Sequence, residues 1–163
     1  MPYLLVLRGV IGAGKTEIAR AILGRCKGFK LVELDDIKRE KHGCSLQCDP
    51  NEDFTEAGRR ARAYLDEGFH TIVEEAFVER GHLCMVLTEV DRKIESQDVI
   101  FIWLGCSMST SLARKGNSIP AQAIELQHQR YAFRYRAPRE HIIMTDDRSV
   151  DDVAVEIIST LEL

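Results

Sequence analysis

Gly9-Val-Ile-Gly-Ala-Gly14-Lys15-Thr16 decides how this chain is read. The stretch matches G-x-x-x-x-G-K-[ST] in full. Before it runs Tyr3-Leu-Leu-Val-Leu7, a continuous apolar segment of the kind that forms a strand buried on both faces. After it, Gly14 to about Gly24 reads as a helix. A strand, a glycine-rich turn and a helix are the context this motif needs. Glycines let the chain curl so that backbone N–H groups point at phosphate oxygens. The helix that follows turns its positive dipole end to the same anion. The reading therefore assigns Gly9, Gly12, Ala13, Gly14, Lys15 and Thr16 to the phosphates of ATP, with GTP as the open alternative. Lys15 is expected at the β- and γ-phosphates, and Thr16 is expected to place its hydroxyl on Mg²⁺.

Outward from the motif, short apolar runs alternate with helical spacing. Lys30–Leu34 reads as a second strand, followed by Asp35-Asp36. Pro50 to Glu67 is helical, with Asp49 or Asn51 as its cap. Phe69–Val73 is a third strand running into Glu74-Glu75, and a helix follows from about Glu79 to Ile94. Val99–Leu104 is the fourth and most apolar strand, His141–Met144 the fifth. Helices are expected from Pro120 to about Phe133 and from Val150 to Leu161. Such alternation implies an α/β chain whose parallel sheet is covered on both faces, with right-handed crossovers and ligands at the carboxyl ends of the strands.

Composition agrees with one globular domain over residues 1–163: 45% of the residues are hydrophobic and 29% charged. No apolar run approaches the roughly 20 residues of a membrane span. No basic region precedes the first strand, so a secretory signal is not expected. The five cysteines suggest no disulfide framework and suit a reducing cytoplasm. His42, Cys44 and Cys48 lie close together but lack C-x-x-C spacing and a fourth ligand for zinc.

The net charge of −4 is unevenly distributed. Residues 112–139 carry net +5 and residues 140–163 net −6. A basic block of this kind is either a solvated helix face or a site for an anion. Beside a phosphate loop it reads as a lid, at about residues 107–136, that closes over ATP and expels water. Arg fits the equatorial oxygens of a transferring phosphoryl group. Arg114 and Arg130 are the expected catalytic arginines, and Arg134 stands four residues after Arg130, on what reads as the same helix face.

Two acidic pairs complete the candidate site. A carboxylate after the second strand can take the proton of an attacking hydroxyl. Asp35 is favoured for this role and Asp36 as a helix cap. After the third strand, Glu74 is favoured to hold Mg²⁺, with Glu75 free to face the acceptor. Arg148, in the loop after the fifth strand, is a candidate to stack on the adenine.

The order Gly9–Thr16, Asp35-Asp36-Ile-Lys38, Ile72-Val-Glu74, then Leu112-Ala-Arg114 with Ile119-Pro120 resembles the P-loop kinases related to polynucleotide 5′-kinase, zeta toxin and chloramphenicol phosphotransferase. The resemblance implies a three-layer P-loop NTPase fold, a five-stranded parallel sheet in order 2-3-1-4-5, and ATP–Mg²⁺-dependent transfer to a hydroxyl. It makes Asp35 the base, Lys15 and Thr16 the phosphate and Mg²⁺ groups, and Arg114 a lid arginine. Polynucleotide kinases tend to have Asp-Asp-x-Arg, and here Lys38 holds the last place.

A GTPase would show N-K-x-D and D-x-x-G motifs, and neither stands at a suitable place; a motor or AAA-type ATPase would need more chain. The expectation is an ATP-dependent kinase acting on a small-molecule or nucleotide-like hydroxyl. Two alternatives remain open. One is a regulatory ATP-binding module without transfer. The other is a polynucleotide 5′-hydroxyl kinase. In the module reading, Tyr131, Phe133 and Tyr135, interleaved with arginines, form a partner or RNA surface, although a pI of about 5.8 disfavours broad nucleic-acid affinity.

Overall fold

The structure is a computed structural model that describes residues 2–43 and 49–161. Cys44 and Cys48 lie outside the described residues. In chain order the elements are β1 (Leu4–Gly9), α1 (Lys15–Arg25), β2 (Phe29–Glu33), α2 (Leu34–His42), α3 (Pro50–Asp66), β3 (His70–Glu74), α4 (Arg80–Glu89), β4 (Val99–Gly105), α5 (Met108–Lys115), α6 (Ala121–Ala132), β5 (His141–Met144) and α7 (Val150–Thr160).

All strand pairs are parallel, and the sheet order is β2-β3-β1-β4-β5. The continuous apolar run of β1 is explained by its central place. Leu4 and Val6 pack with Phe54, Ala61 and Val86 of α3 and α4 on one face. Leu5 and Leu7 pack with Ile18, Ile22 and Val153 of α1 and α7 on the other. Each face thus has its own apolar cluster. Complete burial of a Leu or Val stabilises by about 1.5–3 kcal/mol relative to exposure. No described helix is long and apolar enough to cross a membrane.

Asp49 is the cap of α3, its side chain accepting from the Asn51 and Glu52 amides. Asp36 is not a cap. The helix α2 begins directly at Leu34, after the extended Glu33, so Asp35 and Asp36 both lie in its first turn. The Asp36 carboxylate pairs with Arg39 one turn on, at 2.9 Å. The helix α5 was not legible as a separate element within the basic block. It is capped by Ser107, whose hydroxyl accepts from the Thr110 amide.

A further anchor for α5 comes from Asp146, just after β5. Its carboxylate accepts from the Thr110 hydroxyl and from the Ser107 amide and hydroxyl. These hydrogen bonds hold the Asp146 carboxyl down at about 2. The bonds are therefore intact above the ordinary carboxylate range and lost as pH falls through about 2. In an NMR titration the Asp146 carboxyl carbon is expected to show that low midpoint. In Thr110→Val the midpoint should move up toward the ordinary value; an unmoved midpoint would refute this account.

Candidate active site

The glycines of the phosphate loop are there for two different reasons. Gly9 pairs with Leu104 across the sheet, and a Cβ at Gly9 would sit 2.2 Å from the Leu104 carbonyl oxygen. Only glycine allows β1 and β4 to approach so closely. Gly12 and Gly14 have φ of 77° and 82°, the left-handed region. A Cβ at Gly12 would also lie 2.9 Å from the Ser111 Cα. Gly12→Ala is therefore expected to cost about 1–3 kcal/mol in urea unfolding and to weaken binding of an ATP analogue. Wild-type stability and affinity in this variant would contradict the reading of the turn.

Gly14 is the N-cap of α1, and Lys15 is the first helical residue. The first amides of a helix have no acceptor within it, so they face the curl of the loop unpaired by the helix. The Lys15 ammonium folds over the loop and donates to the Val10 carbonyl at 3.2 Å. The Thr16 hydroxyl donates to Glu74 Oε2 at 3.2 Å. Glu74 ends β3 as a nearly buried carboxylate. Burial pushes it up to about 7; Lys15 and Thr16 oppose that, while Glu75 and Asp35 add to it. A hydroxyl and a carboxylate converging beside a phosphate loop form a hard oxygen donor set that fits Mg²⁺. Among the described residues no group of three or more His, Cys, Asp or Glu gathers as a metal cage. Mg²⁺ needs none, since it takes one or two protein oxygens together with water and phosphates.

Asp35 is half-exposed beside this loop, and Lys38 explains how it is held. The Lys38 side chain is only 6% exposed. Its ammonium donates to Glu75 Oε2 at 2.6 Å and to Asp35 Oδ1 at 3.3 Å. Burial pulls Lys38 down, but Glu75 and Asp35 together outweigh it and leave it above its usual value. Burial likewise pushes Glu75 up, and Lys38, the Ala76 amide and Lys15 more than reverse that. Glu75 is therefore an ionised partner of a buried ammonium. This bridge spans residues 38 and 75, and sequence proximity gave no sign of it.

Three cavities meet along the carboxyl ends of the strands. One, of about 250 Å³, is bordered by Gly12, Gly14, Arg114, Thr145, Arg148 and Val150. The second, of about 220 Å³, holds the loop itself with Lys15, Thr16, Asp35, Glu74 and Glu75. The third, of about 390 Å³, opens on the other side of Lys15 and Asp35 toward Phe77, His82, Arg130 and Tyr131.

The basic block divides among distinct tasks. Arg114, from α5, donates to the Gly12 carbonyl at 2.9 Å, to the Thr145 carbonyl at 2.9 Å and to the Thr145 hydroxyl at 3.2 Å. Arg148 borders the same cavity and pairs with Glu156 of α7 at 2.6 Å. Arg130 borders the third cavity, 3.8 Å from Glu79. Arg134 departs from expectation. The helix α6 ends at Ala132, so Arg134 does not extend the face that carries Arg130. Its side chain is buried, pairs with Glu140 at 2.8 Å and lies over the Trp103 ring. The aromatic set also divides: Tyr131 and Tyr135 pack against the two cores, while Phe133 is 89% exposed.

Arg8 and Ser111 are among the buried polar groups that escaped the sequence reading. Arg8, fully buried at the end of β1, donates to the Phe77 and Tyr135 carbonyls and faces Glu140 at 3.4 Å. Ser111, also fully buried, donates to the Ile11 carbonyl of the loop at 2.6 Å and meets His128 of α6 at 2.7 Å. An arginine at the end of an apolar strand was a signal for the first. Nothing in the sequence marks the second.

A family model described as an AAA domain matches residues 4–138. No curated protein matches the chain significantly. Among solved structures, a sugar kinase from Janibacter superposes with a TM-score of 0.70 at 20% identity, over 99% of this chain and 95% of that one. The APS kinase of Mycobacterium tuberculosis, solved with AMPPNP and APS, gives 0.69 at 18% identity, over 99% and 98%. A chain of the Pnkp1/Rnl/Hen1 RNA repair complex gives 0.64 at 18% identity, over 81% of this chain and 44% of that one. At such identities the likeness is one of fold. The family model spans the phosphate-loop core and carries no argument for the motor and AAA-type ATPases that chain length set aside. With its phosphate loop, its sheet order and a match from β1 through the end of the basic block, the chain belongs to the AAA domain family.

Proposed function

We propose that this protein is an ATP-dependent kinase that transfers the γ-phosphate to a hydroxyl of a small-molecule acceptor. One observation carries the reading: Lys15, Asp35 and Glu75 border both the phosphate-loop cavity and the larger cleft beyond it. Two ligands bound on either side would meet at these residues.

The assigned roles follow from position. The loop from Gly9 to Gly14 holds the phosphates with its backbone, and the cavity at Arg114 and Arg148 takes the nucleoside. Lys15 binds the β- and γ-phosphate oxygens. Mg²⁺, held through Thr16 and Glu74, supplies neutralisation of phosphate charge. Asp35 accepts the acceptor's O–H proton while the new O–P bond forms; the bond from the γ-phosphorus to the bridging oxygen breaks, and ADP leaves. Arg130 stands across the cleft as the arginine able to meet charge on the transferring group.

A transfer screen tests this. Labelled ATP, Mg²⁺ and pooled alcohols should yield a phosphorylated product with the wild-type protein and none with Lys15→Met. ATP binding with no product from any pool would favour a regulatory nucleotide-binding module instead.

A further inference from the structure

We infer that His128 is a positioning residue for the phosphate loop: acting through Ser111, it fixes the Ile11–Gly12 peptide with its carbonyl turned outward and its N–H turned to the nucleotide phosphates. This rests on the nucleotide-binding half of the kinase reading and is independent of the acceptor.

The directions of the hydrogen bonds are fixed by counting protons. Ser111 of α5 is fully buried. Its Oγ lies 2.6 Å from the Ile11 carbonyl oxygen and 2.7 Å from His128 Nε2. A hydroxyl has one proton and two lone pairs. A carbonyl only accepts, so the proton goes to Ile11. His128 must then donate from Nε2. The Cys106 Sγ, 3.2 Å from the same oxygen, can fill the other lone pair with its S–H. The Ser111 hydroxyl is left with one direction for its proton. The Tyr131 ring stands edge-on to His128, with centroids 6.0 Å apart, and holds the imidazole in place. Burial holds His128 below its usual pKa, and a neutral ring with its proton on Nε2 meets the need.

The Ile11 carbonyl matters because of what is joined to it. No described peptide bond is cis. Across a trans peptide, the carbonyl and the following N–H form one rigid plane and point opposite ways. Holding the Ile11 carbonyl on Ser111 therefore turns the Gly12 N–H away from α5. On that side lies the cavity bordered by Ile11, Gly12, Lys15 and Thr16. Arg114, one turn after Ser111, holds the next carbonyl, that of Gly12, at 2.9 Å. Two side chains of α5 thus grip consecutive peptides of the loop. The grip has a purpose, because Gly12 has φ of 77° and a glycine passes readily between backbone regions. Fixing the peptide before the phosphates arrive removes an ordering cost from binding.

The test titrates AMPPNP with Mg²⁺ calorimetrically into the full chain and its variants. His128→Phe keeps a ring and removes the donor. It should weaken binding about three- to tenfold, the net worth of one hydrogen bond. His128→Gln, whose side-chain amide can donate from nearly the same place, should recover affinity to within about twofold of wild type. Ser111→Ala should lose at least as much as His128→Phe, and the double variant no more than Ser111→Ala alone. His128 is only partly buried, so its two variants decide the matter even where Ser111→Ala fails to fold. In NMR of the nucleotide-free protein, the His128 ring nitrogens should show Nε2 protonated and Nδ1 bare. A bare Nε2 overturns the inference whatever the nucleotide does. So do wild-type affinity in His128→Phe, equal losses in the Phe and Gln variants, and losses that add independently across Ser111 and His128. Phosphoryl transfer is scored separately. The expected affinity pattern without transfer would fail the kinase reading alone, while transfer with unmoved affinity in His128→Phe would fail this inference alone.

Discussion

Asp35→Asn is expected to lower phosphoryl transfer by about 10²–10⁴-fold while leaving ATP affinity unchanged. The substitution keeps the shape of the side chain and its oxygen acceptor for Lys38, whose ammonium donates to Asp35 Oδ1. It removes the negative charge and the ability to take a proton. Asp35 is half-exposed at the junction of the two cavities, so the change leaves the apolar clusters untouched. A loss confined to kcat, with ATP titrating as before, is the signature of a base. Unchanged turnover would move the proton to another acceptor. A fall in ATP affinity equal to the fall in rate would instead give Asp35 a binding role.

Glu140→Gln is expected to destabilise the fold by about 3–5 kcal/mol. The Glu140 side chain is 4% exposed and stands between the buried side chains of Arg8 and Arg134, at 3.4 Å and 2.8 Å. Burial already pulls the Arg8 guanidinium down to about 10, with Glu140 opposing and Arg134 adding to the fall. Neutralising Glu140 leaves two positive charges side by side in the interior with only carbonyls and the Trp103 ring as partners. Arg134→Met should cost less, because Arg8 and Glu140 still balance. Urea unfolding would show the difference as a lower midpoint at constant slope. Equal losses in the two variants, or a change below about 1 kcal/mol in Glu140→Gln, would mean the cluster is not electrostatically coupled.

What the sequence made legible and what it did not divide along a physical line. The phosphate loop, the strands and the covering helices are encoded locally, by glycine spacing and by apolar runs whose period reports burial. Even the double-sided burial of β1 could be read from Tyr3–Leu7. Arg134 was misplaced because no Gly or Pro marks the end of α6, and the chain leaves the helix to bring the Tyr135 carbonyl to Arg8. Asp36 was misread as a cap because β2 passes into α2 without a turn between them. Lys38 was read only as standing where polynucleotide kinases tend to have Arg. Its actual partner, Glu75, lies at the end of another strand. Such pairings are made by topology, and a pattern along the chain does not contain them.

The sheet order has a consequence for how this molecule is made. β1 is central, yet its neighbours are β3 and β4, supplied only after residues 74 and 105 have been synthesised. The amide of Val10, within the phosphate loop, is satisfied by the carbonyl of Leu104. Contacts so distant along the chain slow folding, because the intervening segment must be closed before they are gained. On the ribosome β1 therefore emerges as an apolar segment without its sheet partners until β3 and β4 follow. The phosphate loop is therefore translated well before the strand that fixes its shape.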